Sequence, residues 1–186
     1  MNRDKILQIL KSTGALAEGH YRLSGGRHSP QYLKCECILR RPLEMGKLSK
    51  LLAGTFPDDE RPDRILGRGL TGGVLAYEMA RKLHAEPIFA GEDESGPYLR
   101  PGFSVLPGDA VVVVDDVVTT GRAMHLLMSL VLQEGGEIPA VGALVDRSEE
   151  SVQFGVPFRS LVRLEIPEHA PAQCPLCRRG VPLETL

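Results

Sequence analysis

The sequence predicts an α/β domain, a mostly parallel sheet flanked by helices. Three observations carry that prediction. Strand-like and helix-like segments alternate between Arg64 and Val145, the pattern of strand–helix–strand units with right-handed crossovers. The run Ala110 to Val114 is almost all β-branched and shows no polar alternation, as expected of a strand buried on both faces. The chain has 186 residues, 42% hydrophobic and 25% charged, which suits one domain with a sizeable core.

The elements follow in order. Asp4 to Lys11 places Ile6, Leu7, Ile9 and Leu10 at helical spacing, and Gly14 stops that helix. Gly19 to Tyr32 is rich in Gly, Ser and Arg and reads as strand and loop. Pro42 opens a second amphipathic helix through Met45, Leu48, Leu51 and Leu52. The stretch 57–62 is a polar connector. Arg64 to Leu66 is a short strand ending at Gly67, and Gly72 to Leu83 is a helix with Val74, Leu75, Met79 and Leu83 on its apolar side. Glu86 to Ala90 is a strand, Glu92 to Gly96 an acidic turn-prone loop, and Tyr98 to Val105 extended chain. Pro107-Gly108-Asp109 is a turn before the Ala110–Val114 strand. Ala123 to Gln133 is a helix ended by Gly135-Gly136, and Ile138 to Val145 is another strand. The last twenty residues hold four prolines and read as irregular surface chain.

Composition excludes several function classes. With 22 Lys+Arg against 24 Asp+Glu, the net charge of -2 argues against a basic nucleic-acid-binding surface as the function. No apolar run approaches the roughly 18 residues of a membrane span. Met1 to Ile6 lacks an apolar stretch of signal-peptide type, which predicts a cytoplasmic protein. Trp is absent, so Val, Leu, Ile and Ala must form the core. Four cysteines are too few for a disulfide-built scaffold of this length.

The segment Val111-Val112-Val113-Val114-Asp115-Asp116-Val117-Val118-Thr119-Thr120-Gly121-Arg122-Ala123-Met124 is the most informative. A buried parallel strand delivers two carboxylates at its C-terminal edge, where open α/β sheets bind ligands. A Thr-Thr-Gly turn then opens a helix, whose first amides and threonine hydroxyls form an anion site suited to phosphate. Carboxylates repel phosphate but accept hydrogen bonds from sugar hydroxyls. The ligand predicted from this segment is therefore a sugar phosphate.

The segment resembles the phosphoribosyl pyrophosphate (PRPP) signature of type I phosphoribosyltransferases. The resemblance implies that family's fold: a mostly parallel sheet flanked by helices, with a small N-terminal hood. It places residues 1–40 in the hood, 60–166 in the core and 167–186 in an irregular tail, all one domain. It implies that Asp115 and Asp116 hold the ribose hydroxyls, while Val117 and Val118 lead into a turn, Thr119, Thr120, Gly121, Arg122 and Ala123, that wraps the 5-phosphate. Ala123 stands where the family usually has Ser or Thr, and Arg122 replaces a common Gly.

Three further segments resemble orotate phosphoribosyltransferases in particular. Leu23 to Tyr32 matches their N-terminal stretch, contributing Ser24, Arg27 and Tyr32, with Leu33 in place of a second aromatic. Leu66 to Gly73 follows a strand and resembles the pyrophosphate loop, contributing Arg68, Gly69, Thr71 and Gly72. Arg147, after Leu144-Val145-Asp146, falls where an arginine binds the orotate carboxylate, a pairing suited to a guanidinium fork. The resemblance also lets Thr119 touch orotate. The family's mobile loop carries Arg, Lys, Lys and His into the neighbouring subunit of a dimer. The corresponding stretch here, Phe89 to Arg100, has no Lys or His, and Arg100 is its only substitute cation.

The expected activity is transfer of the phosphoribosyl group from PRPP to orotate, with Mg²⁺ bound through PRPP, in a homodimer. The alternatives are a PRPP-binding regulatory homologue without efficient turnover and an enzyme acting on another base. Cys174-Pro175-Leu176-Cys177 is a Cys-x-x-Cys knuckle, and Cys35-Glu36-Cys37 is another close pair. Four thiolates could hold one Zn²⁺ tetrahedrally. A redox pair, or a tail of the kind some bacterial orotate enzymes share, are the other readings. His20, His28, His84, His125 and His169 show no ligand spacing and read as surface or satisfied histidines.

Overall fold

Hydrophobic runs and turn residues sort the chain into two sheets, seen in a computed structural model that describes residues 2–23, 25–57 and 61–185. The larger sheet contains β3 (Arg64–Arg68), β4 (Glu86–Asp93), β5 (Gly96–Leu99), β6 (Val111–Val118), β7 (Val141–Asp146) and β8 (Phe158–Arg163). Its order is β5-β4-β3-β6-β7-β8, parallel throughout except for β5, which returns antiparallel on β4. The smaller sheet pairs β1 (Leu16–Arg22) antiparallel with β2 (His28–Leu33) and parallel with β9 (Glu184–Thr185).

Strand β6 is central because both its faces find an apolar partner. Val112 and Val114 pack with α1 (Arg3–Ser12), α2 (Pro42–Ala53) and α3 (Gly69–Leu83). Val111 and Val113 pack on the other face with α4 (Arg122–Gln133) through Met124, Leu127 and Val131. All four valines are fully buried, which fits a run without alternation. Asn2 caps α1, its side-chain oxygen accepting from the Lys5 amide at 3.2 Å.

Several boundaries differ from the sequence reading, each for a tertiary reason. β6 runs on through both aspartates to Val118, because Val117 and Val118 pair with Val145 and Asp146 of β7. α3 starts at Gly69, three positions earlier than expected. A side chain at Gly67 would meet the Gly72 carbonyl oxygen at 2.1 Å, so the small residues let this helix start close against β3. The acidic stretch is part of a β4–β5 hairpin turning at Glu94-Ser95, and extended chain stops at Leu99. β7 begins at Val141 and not at Ile138. β8 escaped the sequence reading: as an edge strand it is mostly half-buried and weakly patterned. The tail is not wholly irregular, since it forms the short helix α5 (Pro175–Arg178) and β9. Among the described residues no helix is long and apolar enough to cross a membrane.

Candidate active site

The C-terminal edge of the parallel sheet opens into a groove of three adjoining cavities. The central one, about 280 Å³, is lined by Arg68, Asp115 and the run from Val117 to Met124. A second, about 290 Å³, shares Arg68 and Asp115 and adds Asp116, Gly69, Thr71, Gly72, Glu36 and Arg100. The third, about 830 Å³, shares Thr119 and Thr120 with the first and adds Arg147, Ser148 and Glu168. The order along the groove is thus the β3–α3 loop, the carboxylates, the Thr-Thr-Gly turn, then Arg147.

Each member is placed by its element. Asp115 is buried in the C-terminal half of the central strand, and the Arg68 guanidinium donates to its Oδ2 at 3.1 Å. The same guanidinium reaches Glu92 Oε2 at 3.0 Å, so the acidic hairpin is tied to the cavity floor. Asp116 is half-buried; its carboxyl accepts from the Val117 amide at 2.9 Å. Burial, then the neighbouring Asp115, push Asp116 up to about 7. Gly121 turns the chain from β6 into α4 with φ +76°, and a side chain there would meet Val152 Cγ1 at 2.4 Å. Helix α4 starts at Arg122, so its first-turn amides, without partners inside the helix, edge the central cavity.

Thr71 supplies an independent sign of a ligand. Its hydroxyl is buried, lacks a hydrogen-bond partner, and belongs to the wall of the second cavity. A buried hydroxyl left unpaired is costly, and a bound phosphate oxygen would satisfy it.

Arg147 follows β7, its amide donating to the Val118 carbonyl at 2.7 Å, which sets it beside Thr119. The ion pair with Asp146 that adjacency suggests is absent: Asp146 accepts from the Ser148 amide and hydroxyl at 2.9 and 2.6 Å. Arg147 instead pairs with the Glu168 carboxylate, which also meets Arg27 Nε at 3.2 Å. Arg27 further donates to the Glu168 carbonyl at 2.8 Å. A carboxylate therefore already lies between Arg27 and Arg147. Glu168 was missed by sequence reasoning, because it lies in no motif; Glu92 stood out as part of an acidic loop, but its Arg68 partner did not.

Arg100 lines the second cavity. Tyr32 does not reach the groove wall; its ring lies 5.7 Å from that of Tyr21 in the hood sheet. Ser24 lies outside the described residues.

The four cysteines do not converge, which corrects the expected zinc set. Cys35 is buried in the core cluster, where burial and the Asp116 and Asp115 charges hold its thiol well above the usual range. Among the described residues, Cys174 and Cys177 instead share a cluster with His20 and His28. His20 and His28 are buried and not at the surface.

No family-level sequence profile matches the chain. Individual relatives do. An orotate phosphoribosyltransferase of Thermus thermophilus is 41% identical over 180 residues, 96% of this chain and 98% of that protein. One from Caldicellulosiruptor bescii is 40% identical over 183 residues, 98% of this chain and 96% of that protein. Among solved structures, orotate phosphoribosyltransferase from Aeropyrum pernix superposes with TM-score 0.69 at 24% identity, covering 84% of this chain and 93% of that one. Adenine phosphoribosyltransferase from Rhodothermus marinus gives 0.65 at 20% identity, covering 87% of this chain and 100% of that one. At such identities the structures show a shared fold.

Proposed function

Because the chain belongs to the orotate phosphoribosyltransferase family, we propose that it transfers the 5-phosphoribosyl group of PRPP to orotate. The products are orotidine 5′-phosphate and pyrophosphate. The observation that carries this reading is the order of groups along one groove. The Asp115–Asp116 carboxylates, the anion-binding amides of the Thr-Thr-Gly turn beside them, and the Arg147 guanidinium beyond the turn suit the diol, the phosphate and the orotate carboxylate of one reacting pair.

The chemistry is a displacement at the anomeric carbon. The C–O bond to pyrophosphate breaks with its electron pair leaving on oxygen, and an orotate ring nitrogen forms the new bond. Asp115 and Asp116 accept the ribose 2- and 3-hydroxyls and hold the ring as positive charge develops on it. The Thr119–Ala123 turn anchors the 5-phosphate, and Arg147 orients orotate through its carboxylate. Arg68, Thr71 and Arg100 face the leaving group.

That end of the groove fits Mg²⁺. It sets two arginines, Arg68 and Arg100, against four acids, Glu36, Glu92, Asp115 and Asp116, and so calls for added positive charge with pyrophosphate. Mg²⁺ keeps few protein ligands and many phosphate oxygens, and when bound it supplies that charge. A cytoplasmic homodimer completes the reading.

The acidic hairpin favours a second reading, a PRPP-binding homologue with little turnover. Glu92 already occupies Arg68, and the hairpin brings no lysine or histidine to the leaving group. Electrostatic stabilisation of this kind is worth several kcal/mol of barrier. Orotate-dependent pyrophosphate release from PRPP with Mg²⁺, run beside calorimetric PRPP binding, decides between them. Turnover is the expected result. Binding without turnover supports the second reading, and neither would overturn both.

A further inference from the structure

Outside the lining of the groove, four side chains from two ends of the chain meet. His20 lies on β1, His28 opens β2, Cys174 is the N-cap of the short helix α5 and Cys177 lies within it. The four ligand atoms all lie within 4.8 Å of one another. His20 Nε2 is 3.2 Å from His28 Nδ1 and 3.4 Å from Cys174 Sγ. Cys177 Sγ is 3.2 Å from His28 Nδ1 and 3.7 Å from His20 Nε2.

Those spacings suit a small tetrahedral ion. Zinc binds imidazole nitrogen at about 2.0 Å and thiolate sulfur at about 2.3 Å, which sets tetrahedral ligands about 3.3 Å apart for two nitrogens and about 3.5 Å for nitrogen and sulfur. Hydrogen bonding within the cluster does not account for it as well. His20 Nδ1 lies 2.9 Å from the Val181 carbonyl, which can only accept, so that nitrogen carries the proton. In neutral His20 a single lone pair on Nε2 is then left, facing His28 and both sulfurs. That lone pair faces three neighbours at once, whereas one cation serves all four ligands. The Val181 contact is also the outer hydrogen bond that metal-bound histidines use to fix their tautomer.

The backbone is arranged around the same point. The register of β1 with β2 shifts between Glu18 and Tyr21, and this irregularity leaves His20 and Tyr21 both buried. Arg178 and Gly180 donate to the Cys174 and Cys177 carbonyls at 3.2 and 3.0 Å, closing a tight knuckle. His20, His28 and Cys174 are buried, and Cys177 is at the surface.

We propose that His20, His28, Cys174 and Cys177 bind one Zn²⁺ per chain, a structural site that fastens the C-terminal tail to the hood sheet. Two nitrogens and two sulfurs in tetrahedral array select zinc among the common divalent ions. Four protein ligands leave no open position for chemistry. The site stands whatever reaction the groove performs. It does border the groove's far end: the His28 backbone pairs with His169, the neighbour of Glu168, in both directions at 2.9 and 2.8 Å.

The test uses the full chain, purified without chelator under reducing conditions. Elemental analysis should give one zinc per chain. Cobalt(II) exchanged into the chelator-treated protein should show the intense visible band of a tetrahedral ion and a thiolate charge-transfer band. Stripping the metal should lower Tm by about 10 °C, with recovery on adding zinc. Cys35→Ser/Cys37→Ser should keep full zinc content, and Cys177→Ser, at the exposed ligand, should lose the charge-transfer intensity of one thiolate. A wild-type chain that takes up neither ion stoichiometrically would overturn the assignment. So would an octahedral cobalt spectrum, or loss of metal from the Cys35/Cys37 variant.

Discussion

Asp116 folds against its own charge, and this makes it a pH reporter. Its carboxyl ordinarily titrates at 3.8 and is pushed up to about 7 in the folded chain, first by burial and then by Asp115. Between those values the folded state holds a proton that the unfolded state has released. Stability therefore falls as pH rises through that window, and the loss is complete above about pH 7. Asp116→Asn removes the loss. Its Tm gain over wild type should be several degrees at about pH 8.5 and shrink towards nothing near pH 4, as followed by scanning fluorimetry. An equal gain at both ends would show that the carboxyl does not titrate this way. In ligand binding the sign reverses. Replacing either aspartate with asparagine should weaken PRPP by roughly 10- to 100-fold in calorimetry, since a charged acceptor is lost from each hydroxyl. Arg147→Ala should weaken orotate by a similar factor and leave PRPP nearly unchanged. Glu168→Gln should tighten orotate a few-fold, because Arg147 then loses a competing carboxylate.

The β6–α4 turn and the β4–β5 hairpin are the elements that decide what the groove can do. Gly121 carries the turn in a left-handed conformation, with Val152 and Phe154 against the space a side chain would need. Gly121→Ala should cost at least about 1 kcal/mol in chemical denaturation from the backbone alone, and more from the contact. It should also weaken PRPP, because the first amides of α4 would shift. The hairpin works through charge. Glu92→Gln leaves Arg68 with Asp115 as its anionic partner in this cluster, so pyrophosphate should bind more tightly and inhibit at lower concentration. No change in pyrophosphate affinity would mean that Arg68 does not face the leaving group. These two elements differ in legibility. Thr119-Thr120-Gly121 sits in a recognisable pattern after a run of valines. The Arg68–Glu92 tie joins residues on different strands, and nothing in their neighbours announces it.

At the scale of the whole molecule, the groove exists because five parallel strands end together where α3 and α4 begin, and because the tail crosses to the hood. That layout gathers four acids around two arginines at one end of the groove. Withholding divalent cation should therefore weaken PRPP at least about 10-fold in calorimetry, with restoration by Mg²⁺. An affinity indifferent to the cation would contradict the charge reading of that cavity. The layout also joins distant parts of the chain: Glu168 reaches back to Arg27 and Arg147, and Cys174 to His20. Each of these pairs is separated by loops and strands whose path no local pattern reveals.

By itself the sequence determined the parallel core, the carboxylate pair in the C-terminal half of its central strand and the Thr-Thr-Gly turn. All three are written within short windows, where burial of a β-branched run, strand direction and glycine placement act between near neighbours. Only the tertiary structure decided the partners: Glu92 on Arg68, Glu168 on Arg147, and histidines, not Cys35 and Cys37, beside the terminal knuckle. Such pairings depend on how far apart segments come to rest once packed. A bulge in β1 that turns one imidazole inward has no counterpart in residue spacing.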